Sequence, residues 1–190
     1  CHSDQDAAGQ LRVPLGQLEL TDAPSSDQPL HKHAFRELLA GFLRDAVSAG
    51  AQGLLVTDLP VGADPALEGA IQRSALDLIR LLAPTTPAER ISDVARGGSG
   101  FLYYISRTGV TGARQELRAT LGEEVARVRR AASLPVAVGF GISTPEQAAA
   151  VAAVADGVVV GSALVQALDG GGVEAGAAFV ASLRRGMDAG

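Results

Sequence analysis

From about residue 40 the chain alternates short, continuously apolar runs with longer segments whose apolar residues recur every three or four positions. The apolar runs are Gly53–Thr57, Leu78–Ala83, Gly100–Ile105, Leu134–Val138 and Gly157–Val160. Runs this short predict strands buried on both faces rather than helices. Helical periodicity fills the intervals, over residues 64–76, 87–96, 119–132 and 145–154, and a last helix fits 173–187. Ahead of the first strand, Ala34–Gly50 also reads as a helix, with Leu38, Leu39, Phe42, Leu43 and Ala46 on one stripe. Gly50 is placed to end it, because glycine accepts the left-handed geometry of a C-cap. Residues 1–32 are different: polar and irregular, with one possible strand at Gln17–Leu20 and a Pro/Ser/Asp-rich turn after it. The expected organisation is an irregular front over 1–32 and an α/β body over 33–190.

The predicted helix starts repeat one device. Thr86-Pro87-Ala88-Glu89 and Thr144-Pro145-Glu146-Gln147 each put threonine at the N-cap, proline at the first helical position and Glu or Gln at the third. Thr120-Leu121-Gly122-Glu123 is a third such box without the proline. Strands that alternate with helices pair in parallel through right-handed crossovers. That pattern leaves a doubly wound sheet or part of an eight-fold barrel.

Composition narrows the chemistry. The net charge of −5 supplies no basic stripe for phosphates of a nucleic acid. Aromatics make up 4% with no tryptophan, which removes stacking platforms for single strands. No run approaches the roughly 20 apolar residues of a membrane helix. One cysteine, Cys1, allows no internal disulfide framework and no cysteine-cluster zinc site, and points to a reducing, cytoplasmic setting. A cysteine where a starting methionine is usual leads us to expect a fragment or a product lacking its front end. Lipidation of that cysteine is the other reading, with no signal segment to support it. His31-Lys32-His33 has no acidic partner nearby, so no metal site is expected.

In either architecture ligands bind beyond the carboxyl ends of the strands. The segments there are Asp58-Leu59-Pro60, then Pro84-Thr85-Thr86-Pro87, then Ser106-Arg107-Thr108-Gly109-Val110-Thr111-Gly112, then Gly139-Phe140-Gly141-Ile142-Ser143, then Gly161-Ser162-Ala163. The last three are rich in glycine and follow consecutive strands. Glycine lets backbone amides approach a ligand, and amides at a helix start favour an anion. A phosphate site built from these loops is the expectation, against the plainer reading of turn chemistry. Asp58 closes a buried strand toward the ligand end, either capping its loop or acting on a ligand. Tyr103 and Tyr104 alternate in direction, so one faces the inside of the sheet and one the helices.

Taken together, AGAQGLLVTDLP, LLAPTTPAER, GFLYYISRTGVTGAR, LPVAVGFGISTPEQ and ADGVVVGSALV resemble the tryptophan synthase α chain, from about Gly41 to about Leu168. The resemblance implies a (β/α)8 barrel that cleaves indole-3-glycerol phosphate to indole and glyceraldehyde 3-phosphate. It implies a β-chain partner in an α2β2 complex. Pyridoxal phosphate is held by that partner, and the α chain itself has no cofactor. Carried over by residue, it makes Gly112, Gly141, Gly161 and Ser162 the phosphate cradle. It puts Tyr103 beside the indole-glycerol moiety, Thr111 in a closing loop, and Asp58 on the side that communicates with the β chain. The family's catalytic glutamate and aspartate belong to its early strands. Leu18–Pro29 echoes the glutamate's segment, which would make Glu19 that residue; no aspartate follows Pro29.

A full barrel takes about 250 residues, whereas this chain has 190. An incomplete barrel holding strands four to eight of the family is therefore expected, with unpaired edges that make the isolated chain marginal or prone to associate. Two other functions remain in view. One is a module that binds phosphate and contacts the β chain without cleaving. The other is a different phosphate-binding barrel enzyme, against which the Arg107–Gly112 loop and Asp58-Leu59-Pro60 argue.

Overall fold

The computed structural model describes residues 29–105, 114–139 and 141–189. The elements run α1 (Pro29–Ser48), β1 (Gly53–Leu55), α2 (Pro65–Gln72), β2 (Asp77–Leu82), α3 (Ala88–Arg96), β3 (Leu102–Ile105), α4 (Arg114–Ala131), β4 (Val136–Gly139), α5 (Pro145–Ala152), β5 (Gly157–Val159) and α6 (Ser162–Asp188). Every apolar run expected to be a strand overlaps one, to within a residue or two at the ends. The possible strand at Gln17–Leu20 lies outside the described residues.

The strands form one sheet in the order β1-β2-β3-β4-β5. The pairs β2–β3, β3–β4 and β4–β5 are parallel. A strictly sequential order has no reversal, which a doubly wound sheet requires at its switch point, so the arrangement is barrel-type. The fold is α/β, with five strands of a (β/α)8-type barrel.

The chain divides into two compact units. One comprises Cys1–Leu54 and Pro65–Leu76, and its described elements are α1, most of β1, and α2. In it, Gly50 ends α1 with φ 86°, as the sequence predicts. The Gly50 N–H donates to Val47 and the Ala51 N–H to Ala46, the paired bonds of a Schellman cap. The expected α1 stripe is only partly covered: Leu43 is buried, whereas Leu38 is 73% exposed and Phe42 45%.

The other unit comprises Leu55–Asp64 and Asp77–Gly190. Its core lies between the sheet and the helices that cover it. Leu82, Leu102, Tyr104, Val136 and Val138 meet Ile91 of α3, Leu121, Val125 and Val128 of α4, Ala148 and Val151 of α5, and Leu183 of α6. Along β3 and β4 every second residue joins this layer, as a pleated strand requires. Burial on both faces holds for β4, whose four residues are all buried, but not for β3, where Tyr103 and Ile105 are only half-buried, nor for the outer strands. β1 and β5 stay half-buried or exposed, a correction to the doubly buried reading.

Three helix starts behave differently from one another. Thr144 caps α5 as predicted: its hydroxyl accepts from the Gln147 N–H while the Gln147 side chain accepts from the Thr144 N–H. Thr86 does not cap α3, whose N-cap is Pro87. Its hydroxyl instead accepts from the Ala83 N–H at 3.0 Å and closes the turn after β2. Thr120 lies inside α4, which begins at Arg114, well before the box would place it. The last helix is also longer than expected. It starts at Ser162 and is broken at Gly171 and Gly172, where φ reaches 70°, so that the segment predicted over 173–187 is only its second part.

Candidate functional site

The carboxyl ends of β3, β4 and β5 stand side by side, and strand register fixes what they carry. Tyr103 pairs with Ala137, Ile105 with Gly139, and Gly139 with Val159. Gly141 lies two residues beyond Gly139, and Gly161 two beyond Val159. The two glycine loops therefore rise from adjacent, registered positions.

Gly141 adopts φ 69°, a backbone that side-chain-bearing residues rarely take. Gly161 is the N-cap of α6, and its carbonyl accepts from the Leu164 and Val165 amides at 2.9 and 3.1 Å. A Cβ at Gly161 would meet nothing within 4 Å, and both Gly161 and Ser162 are exposed. The start of α6 thus faces open space. A helix start presents amides without intrahelical partners and the positive end of the helix dipole, which together suit an anion.

Tyr103 lies on the face of β3 opposite the helix-covered core, and Tyr104 on the core side, as their alternation predicts. The Tyr103 ring crosses β4 at Gly139: a Cβ there would stand 2.5 Å from the phenol oxygen and 2.7 Å from Cε2. Glycine is what allows the tyrosine to lie across the strand. Burial raises the Tyr103 phenol above its ordinary value, so near neutral pH it is a hydrogen-bond donor and not a base. Tyr104 is raised further, first by burial and then by the Glu124 carboxylate beside it, with Arg127 opposing. It is a core residue.

Tyr103, Gly141, Gly161 and Ser162 are therefore brought to one end of the sheet. Asp58 follows β1, at the far side of the strand order, and is exposed. Glu19, Thr111 and Gly112 lie outside the described residues. Among the described residues no group of three or more His, Cys, Asp or Glu side chains could hold a metal ion, and no helix is long and apolar enough to cross a membrane. A shallow groove lined by Gly122, Ala126, Arg129, Arg130 and Val154 belongs to the opposite end. There Arg129 pairs with Asp156 at 2.6 Å, just ahead of β5.

The sequence reading passed over Arg80. It sits in the apolar run Leu78–Ala83, yet it is only 3% exposed and donates to the carbonyls of Gly97 and Leu59, each at 3.0 Å. A cation inside an otherwise apolar strand was the available signal, since arginine is almost never fully buried unless paired.

Comparison with known proteins agrees with this geometry. The family model of the tryptophan synthase alpha chain matches residues 28–185. A tryptophan synthase alpha chain from Novosphingobium aromaticivorans is 51% identical over 134 residues, covering 70% of this chain and 50% of the relative. One from Citrifermentans bemidjiense is 58% identical over 125 residues, covering 66% and 47%. One from Opitutus terrae is 42% identical over 166 residues, covering 87% and 62%. The chain thus spans about half the length of the first two relatives. Among solved structures, tryptophan synthase from Mycobacterium tuberculosis superposes with a TM-score of 0.70 at 38% identity, over 81% of this chain and 58% of that one. The alpha subunit from Campylobacter jejuni gives 0.70 at 30% identity, over 80% and 61%. On the extent of the family match, the sequential parallel sheet and the paired glycine loops, this chain belongs to the tryptophan synthase alpha chain family.

Proposed function

We propose that the chain binds indole-3-glycerol phosphate at the carboxyl ends of β3–β5 and takes part in its cleavage to indole and glyceraldehyde 3-phosphate. The carrying observation is the Gly139–Val159 register, which sets the two glycine loops side by side with the start of α6 beneath open space. In this reading the phosphate rests on Gly141, Gly161 and Ser162, with Gly112 completing the cradle. Tyr103 offers its protonated hydroxyl beside the indole-glycerol moiety. Thr111 belongs to a loop that closes over the substrate. Glu19 is the proton carrier at the glycerol end. The carbon–carbon bond to the indole ring breaks as the adjacent hydroxyl loses its proton, and the ring carbon gains one. No cofactor enters this step. Asp58 lies on the side that meets a β chain holding pyridoxal phosphate, in an α2β2 complex. The setting is the cytoplasm.

The test is thermal unfolding of the purified chain with and without indole-3-glycerol phosphate. Ligand at about 100 times its dissociation constant adds roughly 2.7 kcal/mol to a protein that binds it when folded. A transition that ignores the ligand would refute the phosphate site. Turnover with a β chain present then separates cleavage from binding, and Glu19→Gln should lower it by roughly 10²–10⁴ if Glu19 carries the proton.

A further inference from the structure

Arg80 extends from the middle of β2 into the core and joins two separate segments. Its Nε–H donates to the carbonyl of Gly97, where α3 ends, and Nη1–H donates to the carbonyl of Leu59, in the segment after β1. Room has been made for it. A Cβ at Gly98 would stand 2.7 Å from Arg80 Cγ and 3.1 Å from the Leu78 carbonyl oxygen, and one at Gly97 would stand 3.3 Å from Nη2. Gly97 and Gly98 thus clear the path of the arginine stem. The other end of the link is equally specific. Leu59 is buried, whereas Asp58 and Pro60 on either side of it are exposed. The Ala63 N–H then donates to the Pro60 carbonyl at 3.0 Å and closes the turn that follows.

A buried guanidinium tolerates little movement of the carbonyls it serves, because a broken bond leaves a desolvated donor unpaired. We propose that Arg80 is a positioning residue. By holding the Leu59 carbonyl from within, it fixes the exposed Asp58–Pro60 segment in one shape and presents it as a preformed edge to the β chain. The choice of partner rests on the function proposed above; the anchoring does not.

The two parts are tested separately on the full chain. Arg80→Lys keeps the cation but loses the planar fork that reaches two carbonyls at once. Hydrogen exchange should then speed up at least tenfold at the Ala63 amide. The Leu102 amide, which donates to Pro135 in the core, should stay within about twofold of the parent. Unchanged exchange at Ala63, or equal acceleration at both amides, would overturn the anchor. Gly98→Ala displaces the arginine stem without deleting it, and it serves the same comparison if the lysine variant does not fold. Titration with a tryptophan synthase β chain reads the second part. Arg80→Lys should weaken binding at least fivefold, and a loosened turn with undiminished affinity would overturn the positioning role. A parent chain that does not bind the β chain sinks the partner reading, and the exchange result still decides the anchor.

Discussion

At Gly139 a single methyl group has no place to go, because the Tyr103 ring occupies it. Gly139→Ala should destabilise the fold by about 1–3 kcal/mol, the usual range for overpacking. Tyr103→Leu should remove much of that penalty, with a coupling of at least about 0.5 kcal/mol in a denaturant double-mutant cycle. Additive effects would mean that the ring moves aside freely. Asp156 supplies a second test at this scale. Its carboxylate accepts from Arg129 and from the Val136 N–H at 2.8 Å, and these bonds, the arginine first, hold its pKa below the ordinary carboxylate range against a small opposing effect of burial. A depressed folded value contributes stability above the unfolded pKa of about 3.9, and that stability is lost as pH falls through the folded value. Asp156→Ala should therefore melt below the parent near neutral pH and converge with it in acid. A gap that persists at the acid end would assign the effect to packing. Neither residue pair could be read from the sequence, since each joins neighbours far apart in the chain.

Among the elements, the helix starts show where local sequence suffices and where it does not. The Thr144 box is a closed local circuit, so its residues determine its geometry. Thr144→Ala should cost about 1 kcal/mol, measured by urea unfolding. Thr86 carries the same local pattern, yet its hydroxyl serves the end of β2 instead, because the tight turn there offers the Ala83 amide first. Thr120 is overridden by a helix already under way from Arg114. The first part of α6 was legible only as a glycine loop, since Gly170-Gly171-Gly172 hides the helical period on either side. Its start makes the sharpest prediction for the candidate site. Ser162→Asp places a fixed negative charge at the helix start, which should leave the ligand-free fold as stable or raise it by about 0.3–1 kcal/mol. The same charge should abolish the thermal shift given by indole-3-glycerol phosphate, and a retained shift would move the phosphate elsewhere.

For the whole molecule, the alternation of apolar runs and helical periods was enough to predict a parallel α/β sheet, and the motifs carried by its loops were enough to identify the family. The family resemblance supplied the sequential order that the sheet has; local pattern alone does not say which strands become neighbours, and it left a doubly wound sheet and a barrel open. For the same reason the outer strands were read as buried on both faces. Exposed apolar side chains remain along α6, with Val165 at 52% and Val173 at 74%. Surface of this kind drives association when unprotected. The double variant Val165→Lys, Val173→Lys should raise solubility and reduce concentration-dependent light scattering, with the melting temperature within about 2 °C of the parent. A large drop in melting temperature would mean that these valines are packed in solution.

The break in α6 has a mechanical consequence. An unbroken rod of that length would act as a lever, carrying any tilt of its loop-facing end to its tail. The tail is not free to follow: Leu183 is embedded in the core, and Gly186 lies so close to Pro145 that a Cβ would stand 2.6 Å from its carbonyl oxygen. At Gly171 and Gly172 the rod is interrupted. The front segment is instead seated on the rear one: a Cβ at Gly176 would stand 2.5 Å from Leu168 Cδ2 and 3.6 Å from Leu164 Cδ1, so the loop-facing end is braced by packing against a clamped neighbour and not by the stiffness of a single rod.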